Sequence, residues 1–360
     1  MKTRQIKLNT LPFREGDILF DIETTGLSPR SSYIYLIGVL RRTGGETILT
    51  QWLAERMSEE KDIAAAFAAC CTGGKRLVHF NGTTFDLPFV RSCLRQYSLE
   101  SPLEDMDSLD LYAEIRHYRK LFGLDSLSLK SMEGFLGIRR RDPFSGRDLI
   151  AVYDEYKGTG DQRLLGALFL HNEEDLSSLP AMLQLQNYRK AFTGPLQGIS
   201  CQVTEQSALF TVRTGCSVPT EVSEEHSGIL LHLQDRELSL QVPFCLEELR
   251  YYFPDYKNYF YLPAEDMAVH RSVGIYTDRA FRKPATASTA YTRRAGTFLP
   301  LFGESSLPVF RHSLKEKDRW ICLEDIDPRD PAFISTYVRD FLTASAYRPA
   351  LSSPLSDPEA

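Results

Sequence analysis

Phe20-Asp21-Ile22-Glu23-Thr24-Thr25-Gly26 closes an apolar run that begins at Asp17. Residues two apart on a strand face the same way. Asp21 and Glu23 therefore project together, while Ile18, Phe20 and Ile22 share the opposite face. Two adjacent carboxylates repel each other and are costly to hold together without a cation. Hard divalent ions favour such oxygen donors. Taken alone, such a pair is far more often a solvated strand end than a metal site.

Working outward, residues 33–40 read as a second strand, Gly44-Gly45 as a hairpin turn and residues 47–52 as a third strand. Residues 59–71 have a helical pattern that stops at Gly73-Gly74. A short strand over 76–80, a turn and a helix to about residue 97 follow. Three antiparallel strands, then helix, strand and helix, is the order of a ribonuclease-H-like α/β core, a mixed sheet flanked by helices. Further helices are predicted over 112–121, 129–136, 147–156 and 161–190, the last N-capped by Asp161. Thr193-Gly194-Pro195 reads as a linker. Beyond it, residues 199–214 and 229–242 are strand-like, the second stretch turning at Gln234-Asp235-Arg236, and 328–342 is helical. The expected organisation is an N-terminal extension (1–15), a ribonuclease-H-like domain (16–192), a smaller β-rich domain (195–345) and a disordered Ser- and Pro-rich tail (346–360).

Two further stretches carry chemistry. His79-Phe80-Asn81-Gly82-Thr83-Thr84-Phe85-Asp86-Leu87-Pro88 joins a strand to a helix. Gly82 permits a sharp turn and Pro88 suits a helix's first turn, so Asp86 projects from a helix start beside the strand edge. As a lone residue it fits an N-cap equally, and Asn81 a turn position. In His171-Asn172-Glu173-Glu174-Asp175, His171 and Asp175 are four apart and share a helical face. Leu168, Leu179, Met182 and Leu183 fit a buried flank of that helix.

Asp-Ile-Glu-Thr-Thr-Gly, Asn-Gly-x-x-Phe-Asp-x-Pro and His-Asn-x-x-Asp, in this order, resemble the three exonuclease motifs of the DEDD superfamily. The second motif is similar to that of the proofreading domains of B-family DNA polymerases. The likeness is greatest to the YprB-like ribonuclease-H-like exonucleases. It includes Asp107 to Tyr112, Ser128 to Ile138 and Arg140 to Gly146, and covers about residues 16–190. The resemblance implies a 3′–5′ exonuclease acting on single-stranded DNA or RNA with two divalent cations, Mg or Mn. It implies Asp21, Glu23, Asp86 and Asp175 as metal-binding catalytic carboxylates and His171 as the residue that orients water. Asp21 would bridge both ions, Glu23 and Asp175 would complete one, and Asp86 would hold the other. The chain departs from the superfamily's usual pattern at His171, which has the side chain of one class and the helical spacing of the other. A non-catalytic nucleic-acid-binding module of the same fold is the alternative.

Thr24, Asn81, Phe85, Lys130, Arg140 and Arg141 are the candidate nucleic-acid contacts. Basic residues gather between the second and third motifs: Arg116, Arg119, Lys120, Lys130, Arg139, Arg140, Arg141 and Arg147. Such a set can track a phosphate backbone, or be a solvated face. In the second half, Arg271, Arg279, Arg282, Lys283, Arg293 and Arg294 interleave with Tyr276, Phe281 and Tyr291. That pattern suits base stacking with phosphate contact, or a basic face beside core aromatics.

Composition sets the outer limits. The net charge of −6 argues against coating nucleic acid by charge alone, and 42% hydrophobic with 25% charged residues is that of a soluble globular protein. No stretch is long and apolar enough to span a bilayer, and no apolar run follows the N-terminal charges as in a signal peptide. The seven cysteines are odd in number and lack a CxxC pair. They read as free thiols of a cytoplasmic protein, neither a disulfide frame nor a zinc site.

Overall fold

The strand carrying Asp21 and Glu23 lies inside a six-stranded mixed sheet. The computed structural model describes residues 1–344, and the tail expected over 346–360 lies outside the described residues. The chain divides into two units: residues 1–189 with 218–220, and residues 190–217 with those from 221 on.

In the first unit, the strands are β1 (Lys2–Leu8), β2 (Asp17–Thr24), β3 (Ile34–Thr43), β4 (Glu46–Leu53), β5 (Arg76–His79) and β6 (Asp107–Asp110). Their order is β1-β4-β3-β2-β5-β6. The first four pair antiparallel, while β5 and β6 add parallel beyond β2. Helices α1 (Glu60–Cys71) and α2 (Asp86–Gln96) follow β4 and β5, and α2 is the crossover that parallel β5 and β6 require. Then come α3 (Leu111–Ile115), α4 (Leu129–Phe135), α5 (Gly146–Thr159) and α6 (Gln162–Met182), and last α7 (Gln186–Thr193), along which the chain passes out of this unit.

The period-2 pattern of β2 sorts the layers. Ile18, Phe20 and Ile22 pack with Ile63 and Phe67 of α1 and Leu87 and Val90 of α2. Enclosing a side chain such as Phe67 stabilises by about 2–3 kcal/mol. On the opposite face, Leu36 and Leu53 pack with Leu149 and Tyr153 of α5 and Leu168 of α6. Asp21 and Glu23 project to this second face, toward α6. Ser145 and Asp148 form a capping box at the start of α5. Asp161 caps α6 as expected, its carboxylate accepting from the Arg163 amide.

Three segments differ from the sequence expectation. Residues 2–8, read as an extension, form edge strand β1, whose charged Lys2 and Arg4 weaken any apolar signal. β6 is four residues long, and Asp107-Ser108-Leu109-Asp110 carries too little apolar alternation to read as a strand. The single helix expected over 161–190 stops at Met182 and passes through a tight 3₁₀ turn, Leu183–Leu185, before α7. Apolar periodicity runs through this break, with Met182, Leu185 and Tyr188 all buried. Pro180 lacks the amide needed to continue the ladder near the helix end.

The second unit begins with a five-stranded antiparallel sheet: β7 (Leu196–Val203), β8 (Ser207–Thr214), β9 (Val222–His226), β10 (Ile229–Gln234) and β11 (Glu237–Pro243). A closed four-stranded barrel is built from β12 (Cys245–Tyr252), β16 (Tyr291–Pro300), β17 (Val309–Arg311) and β18 (Trp320–Cys322). Between β12 and β16 lie a small sheet of β13 (Tyr259–Leu262), β14 (Met267–His270) and β15 (Lys283–Pro284), and the short helix α8 (Arg271–Gly274). The last helix, α9 (Pro331–Ala344), packs on the five-stranded sheet, with Tyr337 against Phe210 at 4.7 Å between ring centroids. Among the described residues, no helix is long and apolar enough to cross a membrane.

Gly38 decides how closely α6 approaches the sheet. It stands opposite Asp21 in the β2–β3 register. A Cβ at Gly38 would lie 2.0 Å from Asn172 Oδ1 and 2.5 Å from Leu176 Cδ1, both on α6. Asn172 cannot swing aside freely, because Gln51 and Asp21 both hold it. Gly38→Ala should therefore displace α6 and cost about 1–3 kcal/mol. Thermal unfolding should show a Tm several degrees lower; an unchanged Tm would mean that α6 adjusts without strain.

Candidate active site

Three elements bring the predicted acids to one cleft. β2 supplies Asp21 and Glu23. Asp86 is the first residue of α2, and its Oδ1 accepts the Ile22 amide at 3.2 Å across the β2 edge. His171 and Asp175 lie one turn apart on α6. The cleft, about 1020 Å³, is lined by Asp21, Glu23, Asp86, His171 and Asp175, and also by Asn81, Phe85, Lys130 and Arg140. Donor atoms of Glu23, His171 and Asp175 lie within 4.8 Å of one another.

The turn before Asp86 is set by Asp110. Its carboxylate accepts the Asn81 amide at 2.8 Å and the Thr83 amide at 3.1 Å while also capping α3. Asn81 adopts a left-handed φ of 62°, and the Gly82 amide donates to His79 Nδ1 at 3.1 Å. These bonds fix where α2 begins, and so where Asp86 sits.

Two residues that sequence reading missed organise the cluster. Asn172 Nδ2 donates to Asp21 Oδ2 at 2.8 Å, and its Oδ1 accepts from Gln51 Nε2 at 2.9 Å. Asp142 Oδ2 lies 2.6 Å from His171 Nδ1. Burial works against the Asp142 carboxylate, but the Phe144 amide, His171 and Lys130 hold its pKa below the usual value. Asp142 thus stays ionised and His171 donates from Nδ1. Burial pushes the His171 pKa down, outweighing Asp142. The neutral ring keeps an unprotonated Nε2, 3.5 Å from Glu23 and 3.6 Å from Asp175. Both residues were in view, Asn172 in the third motif and Asp142 in the Arg-Arg-Asp-Pro stretch, but no local pattern marked their roles.

The remaining predicted residues divide between the cleft and its surroundings. Thr24 lies outside the cleft lining, its hydroxyl donating to the Gly26 carbonyl at 2.7 Å. Lys130 stands 3.3 Å from Asp142. Arg141, exposed and outside the lining, pairs with Glu174 at 3.1 Å. Arg140 turns inward, its guanidinium bonded to Asp175 and 3.1 Å from Glu133. Arg116 and Arg119 line the cleft. In the second unit, Tyr276 and Phe281 are exposed, whereas Tyr291 is buried and Arg293 and Arg294 pair with Glu248 and Asp325.

Burial pushes the Asp21 pKa up to about 7, against pulls from Asn172 and Arg140. Burial, then the charges of Asp21, Asp86 and Asp142, push Glu23 well above its usual range. Asp86 is likewise raised, by burial and then by Asp21. Such a group prefers protons or a cation to bare charge. Carboxylate oxygens with one imidazole nitrogen suit a divalent ion, and Arg140 already places positive charge against Asp175. The carboxylates gathered in this cleft are therefore of a kind that suits a divalent cation.

Residues 18–187 match the family model described as the RNase_H superfamily. The first unit has a ribonuclease-H-like fold. No curated protein matches the chain. Similar solved structures include an SSB/exonuclease I structure in complex with inhibitor CFAM, at 13% identity over 55% of each chain with a TM-score of 0.31. The zinc-bound E. coli exonuclease I–ssDNA complex is 16% identical over 56% of this chain and 54% of its own, with a TM-score of 0.27. The family B DNA polymerase of the hyperthermophilic archaeon Pyrobaculum calidifontis is 12% identical over 67% of this chain and 35% of its own, at 0.36. The chain spans about half the length of these exonuclease I structures.

The raised Asp21 pKa fixes a sign. A carboxyl that holds its proton more tightly when folded stabilises the fold at low pH, and that contribution is lost as pH rises through about 7. Metal-free protein should lose Tm between about pH 5 and about pH 8, and Asp21→Asn should lose less. Mg²⁺ should raise the wild-type Tm, more at the higher pH, and leave the variant nearly unmoved. Parallel Tm curves for both proteins would show that Asp21 ionises freely.

Proposed function

We propose that the chain is a metal-dependent nuclease, a 3′–5′ exonuclease that hydrolyses single-stranded nucleic acid, with its chemistry in residues 16–192. The observation that carries this reading is the convergence of Asp21, Glu23, Asp86 and Asp175 on one cleft with Nε2 of His171 facing two of them. Two divalent cations, Mg or Mn, would activate water and offset charge developing on the phosphate. Asp21, Glu23, Asp86 and Asp175 would hold them. His171 Nε2 accepts a proton or a hydrogen bond from water, and Asp142 fixes the ring that presents it. Phe85 and Asn81 line the cleft, where an aromatic ring and an amide can meet the terminal base and sugar. Arg116, Arg119 and Lys130 add positive charge for phosphate.

One observation favours the alternative of a non-catalytic binding module: Arg140 already neutralises Asp175 without a metal. Turnover separates the two readings. With Mn²⁺, end-labelled linear single strands of DNA or RNA should be shortened from the 3′ end, while covalently closed circles resist. Asp21→Ala should lower the rate by at least about 10³-fold, the scale of losing a principal charge-stabilising group. No turnover of either linear strand would leave the binding module. Cleavage of circles at the linear rate would make the enzyme an endonuclease.

A further inference from the structure

The barrel of the second unit closes on a short seam. β12 and β17 share two register pairs, Arg250 with Arg311 and Tyr251 with Phe310, whereas β12 pairs with β16 along its whole length. Just past the seam's end, a thiol, a carboxylate and an imidazole converge. Cys245 and Glu247 are two apart on β12 and share a face. His312 directly follows β17, and its carbonyl accepts from Arg250 Nη1 at 2.7 Å, which anchors it against β12. One donor atom from each of Cys245, Glu247 and His312 lies within 4.8 Å of the other two. His312 Nε2 is 3.0 Å from Glu247 Oε2. Its Nδ1, buried without a hydrogen bond, faces Glu316 Oε2 at 3.2 Å.

We propose that Cys245, Glu247 and His312 bind a borderline transition ion of the Zn²⁺ type, which staples β12 to the end of β17. Thiolate, imidazole and carboxylate together suit Zn²⁺ and disfavour Mg²⁺ or Mn²⁺, which bind thiolate poorly. Binding replaces the Cys245 S–H bond with a sulfur–metal bond and releases the proton to solvent. Three protein ligands leave one tetrahedral position for water. Glu316 stands 3.2 Å from the second nitrogen, close enough for a small rotation to let an outer carboxylate orient the ligating histidine. An ordinary ion-pair network would account for His312 between Glu247 and Glu316, but not for the thiol brought within ligand range of both. The lack of a CxxC pair does not oppose the site, because its ligands come from β12 and from the residue after β17, distant in sequence.

The test uses full-length protein stripped of metal by a chelator and titrated with Co²⁺. A sulfur-to-cobalt charge-transfer absorption should appear with one equivalent and vanish when Zn²⁺ displaces the cobalt. Cys245→Ser should abolish the band. Glu247→Gln, at an exposed position that leaves folding intact, should weaken Co²⁺ binding about tenfold or more. Asp21→Ala and Cys216→Ser should both retain the band, because the first-unit cluster holds no sulfur and Cys216 is not among the ligands. Circular dichroism checks the fold of each variant. Absence of the charge-transfer band in wild type, or its persistence at full strength in Cys245→Ser, overturns the proposal.

Discussion

Carboxyl groups that repel one another are crowded into one partly buried cleft beside β2, and much of the first unit serves to keep them there. Asp21 and Glu23 come from the strand itself. Asp86 is drawn in by the Ile22 amide, and Asp175 is brought down by α6. The helix comes close enough because Gly38 has no side chain. Asn172 then occupies that gap and binds Asp21 directly. The raised pKa values of Asp21, Glu23 and Asp86 record the cost of this arrangement. A fold that tolerates such a cost is one whose acids have a use, and binding of cations is the use their chemistry favours.

The opposite charge in the cleft has its own order. Arg140 touches Asp175 and approaches Glu133, both drawn into the same pocket of charge. On the other side burial favours the neutral form of His171 against the pull of Asp142, whose carboxylate orients the ring through Nδ1 and leaves Nε2 toward the acids. Under the proposed function, Arg140 gives way to the metal and His171 attends the water. The two roles are separable because the residues approach the acids from different elements, the segment after α4 and helix α6.

The parts of this arrangement that were legible in the sequence are those governed by local periodicity. Alternation put Asp21 and Glu23 on one face, and four-residue spacing put His171 with Asp175. The strand and helix order of the first unit followed from the same patterns. What escaped was tertiary. Gly38 reads as one more small residue in an apolar strand until Asn172 lies against it. Asp142 reads as a loop acid until His171 turns toward it. Arg140 reads as a surface cation because nothing local shows it folding inward. β1 escaped because an edge strand needs only one apolar flank, and the end of α6 because the apolar pattern continues through the turn that breaks it. In the second unit, β-hairpin signals were readable at Gln234-Asp235-Arg236. The meeting of Cys245, Glu247 and His312 was not, since barrel closure alone brings them together.

The proposed two-cation site around Asp21 is open to direct observation. Anomalous scattering from crystals grown with Mn²⁺ and a short single strand tests it most directly. The account predicts two manganese peaks in the first-unit cleft, about 3.5–4 Å apart with Asp21 between them, and Arg140 withdrawn from Asp175. A cleft without manganese beside Asp21, with Arg140 still seated on Asp175, would contradict it.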